Sequence, residues 1–193
     1  MSTSHASAAQ IQRLPGDIAA WLFIFAELTV FGILFIGSAV ARSLDPATFH
    51  NGRLALHPWI GLINTMALIS ASYLVATAVH GIRQGRSRAH LRLWLAIAVS
   101  GIYVLGKLAE YQDLYSLGYH LGSNTFFMFY FFLTFFHFMH VILGLIILAV
   151  LAIRTGRGEY SGSNMSAVES GACYWHMVDL VWLLLFPMVY VLA

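Results

Sequence analysis

The stretch Phe131-Phe132-Leu133-Thr134-Phe135-Phe136-His137-Phe138-Met139-His140-Val141-Ile142-Leu143-Gly144 decides how the chain is read. Apart from Thr134 and two histidines it carries only apolar side chains and a glycine, and the apolar character extends from about residue 124 to 153. A helix of that length, rising about 1.5 Å per residue, crosses a hydrocarbon core of about 30 Å. His137 and His140 are three apart and share one face of it. Such a pair can hold a metal or a haem, carry a proton, or tie neighbouring helices together.

The rest of the chain has the same character. Its 193 residues are 60% hydrophobic and 9% charged, with a mean hydropathy of +0.77, far from the composition of soluble domains. Hydropathy and turn residues predict five spans, about 17–41, 58–82, 92–113, 124–153 and 167–192. The expected fold is all-α: an integral membrane bundle of five transmembrane helices over residues 17–193, preceded by a polar segment, residues 1–16. That segment lacks the pattern of a cleaved signal or an organellar transit peptide, which points to a retained anchor in a bacterial inner (plasma) membrane. Connections between spans read as short, with no room for a soluble domain. A net charge of +2 in local arginine clusters excludes nucleic acid as the expected partner. The lone Cys173 offers neither an intrachain disulfide nor a thiolate metal clip.

Arginine placement predicts the topology. Arg83, Arg86, Arg88 and Arg92 surround the second connection, Arg154 and Arg157 the fourth, and Arg13 precedes the first span. Arg42 and Arg53 stand on the other side, and the Asp113–Asn124 connection has no basic residue. By the positive-inside rule the N-terminus is cytoplasmic and the C-terminus periplasmic. The first helix is expected to start at Leu14-Pro15-Gly16-Asp17, since proline suits a first turn and an acid suits the positive end of the helix dipole. Small residues four apart, Ala67 with Ala71 and Ser72 with Ala76, predict close helix approach.

Ionisable groups inside hydrocarbon are costly and face the bundle interior or a wet cavity. Seven stand out: Glu27, Lys107 with Glu110, His137 with His140, and His176 with Asp179. Each pair is three apart and can turn inward together. The plain reading of Lys107–Glu110 is an internal ion pair, set against a proton relay. For His137 and His140 it is bonding to Thr134, Glu27 or backbone on adjacent helices, set against metal ligation. Glu27 has no partner on its own helix and must borrow one or stay protonated. A di-iron site wants several carboxylates and two Glu-x-x-His motifs; no such motif occurs. Axial haem ligation by two histidines stays open, although Phe135, Phe136 and Phe138 leave no evident flat slot.

The C-terminal Tyr174-Trp175-His176-Met177-Val178-Asp179-x-x-Trp182 resembles the Tyr-Trp-His-Phe-Val-Asp-x-x-Trp signature of subunit III of the haem-copper oxidases. Thr134-x-x-His137-x-x-His140-Val141-x-x-Gly144 is similar to that family's paired-histidine helix, Glu27 falls on its glutamate-bearing helix, and Asn64-Thr65 with Ser70 and Ser72 resembles its Asn-Thr-x-x-Leu-x-x-Ser-Ser segment. Family members commonly have seven helices; five are expected here. Within the family the chain most resembles the NorE-type proteins associated with nitric oxide reductase. It does so through Leu14-Pro15-Gly16-Asp17-x-x-x-Trp21-x-Phe23-Ile24, Lys107-x-x-Glu110-Tyr111 and Phe126-Phe127-Met128-Phe129-Tyr130.

The resemblance implies a non-catalytic accessory subunit of a respiratory electron-transport complex, without haem or copper. Its partner would be the catalytic membrane subunit of a nitric oxide reductase or of a terminal cytochrome c or quinol oxidase, whose assembly, stability and proton uptake it supports. It also implies bound phospholipid, although Phe135 and Phe138 replace glycines of the family motif. On this reading no residue is catalytic, and Glu27, Lys107, Glu110, His137, His140, His176 and Asp179 form a buried polar network. An alternative of another class is an independent proton channel or transporter built on the same groups. Transporters favour helices broken at mid-depth; Pro187 is the only deep proline here.

Overall fold

A computed structural model describes residues 17–86, 88–160 and 165–192. The 1–16 segment with Arg13 and the Leu14-Pro15-Gly16 helix start lies outside the described residues. Among the described residues six α-helices follow one another: α1 Ile18–Leu44, α2 Pro46–Leu54, α3 Pro58–Arg83, α4 Ala89–Ser116, α5 Thr125–Gly156 and α6 Ser166–Phe186, the last continuing as a π-helical turn, Pro187–Val191. Among the described residues no strand occurs. Five of the helices, α2 excepted, are long and apolar enough to cross a membrane. They match the five expected spans to within three residues at each end, most of the differences being extensions.

The ends run on because arginines expected in connections are helical. Arg83 closes α3, Arg92 lies in the first turn of α4 and Arg154 in the last turn of α5. Each of these three connections out of α3, α4 and α5 then turns at a glycine with positive φ: Gly85 (68°), Gly118 (84°) and Gly158 (74°). Beyond each glycine, the next amide reaches back to a carbonyl inside the helix: Arg86 to Gly81 at 2.9 Å, Tyr119 to Leu114 at 2.9 Å and Glu159 to Arg154 at 3.1 Å. This is the Schellman stop, and it satisfies carbonyls a helix end leaves free.

Helix α2 replaces what reads in the sequence as a plain connection. Asp45 caps it, its carboxylate accepting from the Thr48 amide at 3.2 Å, and Pro46 takes the first helical position. An acidic cap followed by proline is a start signal, because proline lacks the amide that would be unpaired there. At the far end of the chain, Pro187 cannot donate into the α6 ladder. The backbone widens, and the Leu192 amide bonds the Pro187 carbonyl five residues back at 2.8 Å.

Helices α3, α4, α5 and α6 pack in a ring, α6 closing back on α3, and α1 lies outside it against α6 and α5. Only 11% of the most apolar window of α1 is buried, against 56% for the last span, so α1 presents most of its surface outward. Lipid tails are as apolar as leucine, so helix association in a membrane depends on close packing and interhelical hydrogen bonds. The α3–α4 seam shows this: Ala67, Ala71, Val75 and Ala78 are buried opposite Ala89, Leu93 and Ala96. Of the second expected small pair, Ala76 faces outward and Ser72 is drawn to α6 by a hydrogen bond. Gly144 on α5 admits Trp175 of α6, whose Cε3 would stand 2.9 Å from an added Cβ.

Candidate functional site: buried polar clusters of the bundle

Lys107 and Glu110 project from α4 into the closed ring, with side chains 0% and 1% exposed. The ammonium spends all three protons: on Glu110 Oε2 at 3.0 Å, the Tyr130 hydroxyl at 3.2 Å and the Tyr190 hydroxyl at 2.9 Å. Tyr190 in turn donates to the Glu110 carboxylate, 2.8 and 2.7 Å from its two oxygens. The rings of Tyr130, Tyr190, Tyr111 and Trp182 surround the cation at 4.8 to 5.6 Å from their centroids. A desolvated lysine is tolerable when paired, fully hydrogen-bonded and faced by aromatic π-systems. All three conditions hold here.

The histidines of α5 have separate partners. His137 Nε2 lies 3.1 Å from the Val178 carbonyl of α6 and must donate, because a carbonyl only accepts; Nδ1 then accepts from the Tyr103 hydroxyl of α4 at 2.9 Å. His137 thus bridges three helices as a neutral ring with both nitrogens engaged. His140 Nδ1 donates to the Phe136 carbonyl at 2.7 Å, and Nε2 lies 2.9 Å from Glu27 Oε2 on α1. Two bare lone pairs would repel at that distance, so one proton lies between Nε2 and Oε2. Whichever atom carries it, the pair has no net charge. Glu27 obtains its partner from another helix, and Thr134 bonds Tyr111 (2.9 Å), not a histidine.

His176 and Asp179 turn toward α3. Ser72 Oγ lies 2.6 Å from His176 Nδ1, and Asp179 Oδ2 3.6 Å from the same nitrogen. This is not a nucleophile–base relay, which needs the serine and the carboxylate on opposite ring nitrogens. Both carboxylate oxygens of Asp179 are buried without a well-formed hydrogen bond among the described residues, as are the Asn64 amide and the Trp175 indole nitrogen. Nearby, Trp182 Nε1 donates to Thr65 Oγ1 at 2.9 Å, adding a second α6–α3 link.

The seven sequence-selected residues therefore group as Lys107–Glu110, His140–Glu27, His137 alone with Tyr103 and Val178, and His176–Asp179 with Ser72. Rings adjoin the groups. Trp182 lies 5.1 Å from His137 and 4.9 Å from Tyr103, between centroids, and within reach of Lys107, while Phe31 of α1 packs on His140 at 5.4 Å. Among the described residues no three His, Cys, Asp or Glu side chains converge as a metal cluster. Sequence reasoning did not assign Tyr103, Tyr130 and Tyr190 to the polar network, because tyrosines blend into a chain that is 15% aromatic. A signal existed: Tyr103 stands one helical turn before Lys107, on the same face.

Five membrane-spanning helices, with ionisable side chains turned inward onto partners from neighbouring helices, define a multi-pass helical membrane protein. The chain belongs to the cytochrome c oxidase subunit III family, whose profile matches residues 5–193. It is 36% identical over 174 residues to cytochrome c oxidase subunit 3 of a Synechocystis species, covering 89% of this chain and 73% of that one. It is 30% identical over 180 residues to a probable quinol oxidase subunit 3 of Staphylococcus epidermidis, covering 90% and 87%. It is also similar, at 28% over 184 residues, to a protein of Aeropyrum pernix described as heme-copper oxidase subunit I+III, covering 89% of this chain and 22% of that protein. In this family subunit III is a non-catalytic accessory subunit, and catalysis belongs to its partner, subunit I.

Proposed function

We propose that the chain is subunit III of a terminal cytochrome c or quinol oxidase in a bacterial inner membrane, where it packs against the catalytic subunit and supports its assembly, stability and proton uptake. The observation that carries this is the engagement of Lys107, Glu110, His137 and His140 with partners inside the bundle. Such groups hold helices together, and both nitrogens of His137 and of His140 are committed to hydrogen bonds. The relatives described above favour an oxidase over a nitric oxide reductase. The latter remains a second reading, carried by the Lys107-x-x-Glu110-Tyr111 sequence at the centre of the lysine cluster. Copurification in mild detergent decides: an oxygen-reducing subunit I retained with this chain supports the first reading, a nitric oxide reductase subunit the second. Proton or solute flux through the purified chain alone in vesicles would favour a channel or transporter instead.

A further inference from the structure

We infer that the arginine-bearing end of the α3–α4 hairpin holds the phosphate of an anionic membrane lipid, with an acyl chain lying in the groove between the two helices. This groove has a volume of about 510 Å³, and His80, Arg86 and Arg92 stand among its lining residues with no carboxylate. The same residues include Leu74 and Ala76, with the hydroxyls of Tyr73 and Thr77. From His80 to Tyr73 is seven residues of helix, about 10 Å, so the groove is basic at the helix ends and more apolar toward the membrane interior. That is the polarity of a phospholipid, headgroup outward. Basic pockets between transmembrane helices at one membrane face recognise anionic headgroups.

The pairing of the other arginines at this end sharpens the assignment. Arg83 meets Glu169 at 2.7 Å, and Arg154 and Arg157 both approach Glu159, at 3.7 and 3.9 Å. Arg86 and Arg92 have no carboxylate within ion-pair distance among the described residues. Arg92 is held in place: Nη1 donates to the Thr77 carbonyl at 2.9 Å, nearly two turns inside the end of α3. It reaches that carbonyl across Gly81, where an added Cβ would stand 3.5 Å from Nη1. A guanidinium has five N–H donors in a fixed fork, so one committed nitrogen leaves the rest for phosphate oxygens. Arg86, exposed on the turn after Gly85, supplies the second cation. The inference concerns the α3–α4 surface and does not depend on which catalytic subunit the chain joins.

Native mass spectrometry of the purified full chain, titrated with phosphatidylglycerol or with zwitterionic phosphatidylcholine, tests it. Phosphatidylglycerol should bind in preference. Each basic residue near an anionic headgroup contributes on the order of 1 kcal/mol, so Arg86→Gln should weaken that binding about fivefold and Arg86→Gln/Arg92→Gln about thirtyfold. Arg86→Lys should retain most of it. Arg154→Gln, at the same membrane face but already engaged with Glu159, should leave binding unchanged, and millimolar inorganic phosphate should not displace the lipid. The structural bond of Arg86 is made by its backbone amide, to the Gly81 carbonyl, and survives side-chain substitution, so its single variants report on binding even if the Arg92 variant is unstable. Equal losses with Arg154→Gln, no loss with Arg86→Gln, or displacement by inorganic phosphate each overturn the inference.

Discussion

Lys107 shows why a charge can persist inside the bundle and what its loss does. Its three protons and both Glu110 oxygens are engaged, so removing one partner strands the other without water. Glu110→Leu should destabilise the chain by about 3–5 kcal/mol, whereas Lys107→Met/Glu110→Leu should lie within about 1 kcal/mol of the parent or above it, because a fully apolar replacement leaves no orphan charge. Unfolding in detergent micelles measures both; a double variant as unstable as the single one would show that the tyrosine hydroxyls, not the ion pair, set the cost. Glu27→Ala leaves His140 Nε2 without its partner across the α1–α5 contact. The expected outcome is weaker assembly with the catalytic subunit and lower complex activity, with no haem band lost from the spectrum of the complex.

At the scale of the element, stops and caps do the work. The Asp45 carboxyl is held below its ordinary value of 3.8 by its hydrogen bonds to Thr48. A depressed folded value means that the cap's contribution is complete above the ordinary value and is lost as pH falls through the folded one. The protection factor of the Thr48 amide, its exchange rate relative to the unstructured chain at the same pH, should therefore hold down to about pH 4 and fall only below it, and Asp45→Ala should remove that fall. Gly144→Val would drive a side chain against Trp175 and should cost about 1–3 kcal/mol as an overpacked contact, read as a lowered unfolding midpoint.

The five spanning helices were legible because length and hydropathy are properties of a single segment. So was the inward turn of Lys107–Glu110, which needs only helical spacing. Helix α2 was passed over although Asp45–Pro46 announces it, because a nine-residue helix of mixed polarity gives no hydropathy signal. Glu27 was legible as a partner for the α5 histidines, but which of the two answers it, or that Ser72 meets His176 104 residues away, depends on the order of packing around the ring. No local pattern carries that.

For the whole molecule, the asymmetry is between the closed ring and α1, joined to it through Glu27–His140, the Phe31 ring and a bond from the Asp17 amide to Ser170 Oγ at 3.0 Å. The arginine distribution sets an expected orientation that labelling can check. In a Cys173→Ser background, a cysteine at Gly158 should react only from the cytoplasmic side and one at Gly118 only from the periplasmic side; the reverse pattern would invert the topology.

The tyrosine that completes the lysine cage lies 83 residues beyond Lys107. During synthesis α4 therefore enters the bilayer with its ammonium short of a ligand, and two more spans must be made before the π-helical turn delivers Tyr190. Until that last turn arrives, one of the ammonium's three protons lacks the partner that the finished bundle gives it.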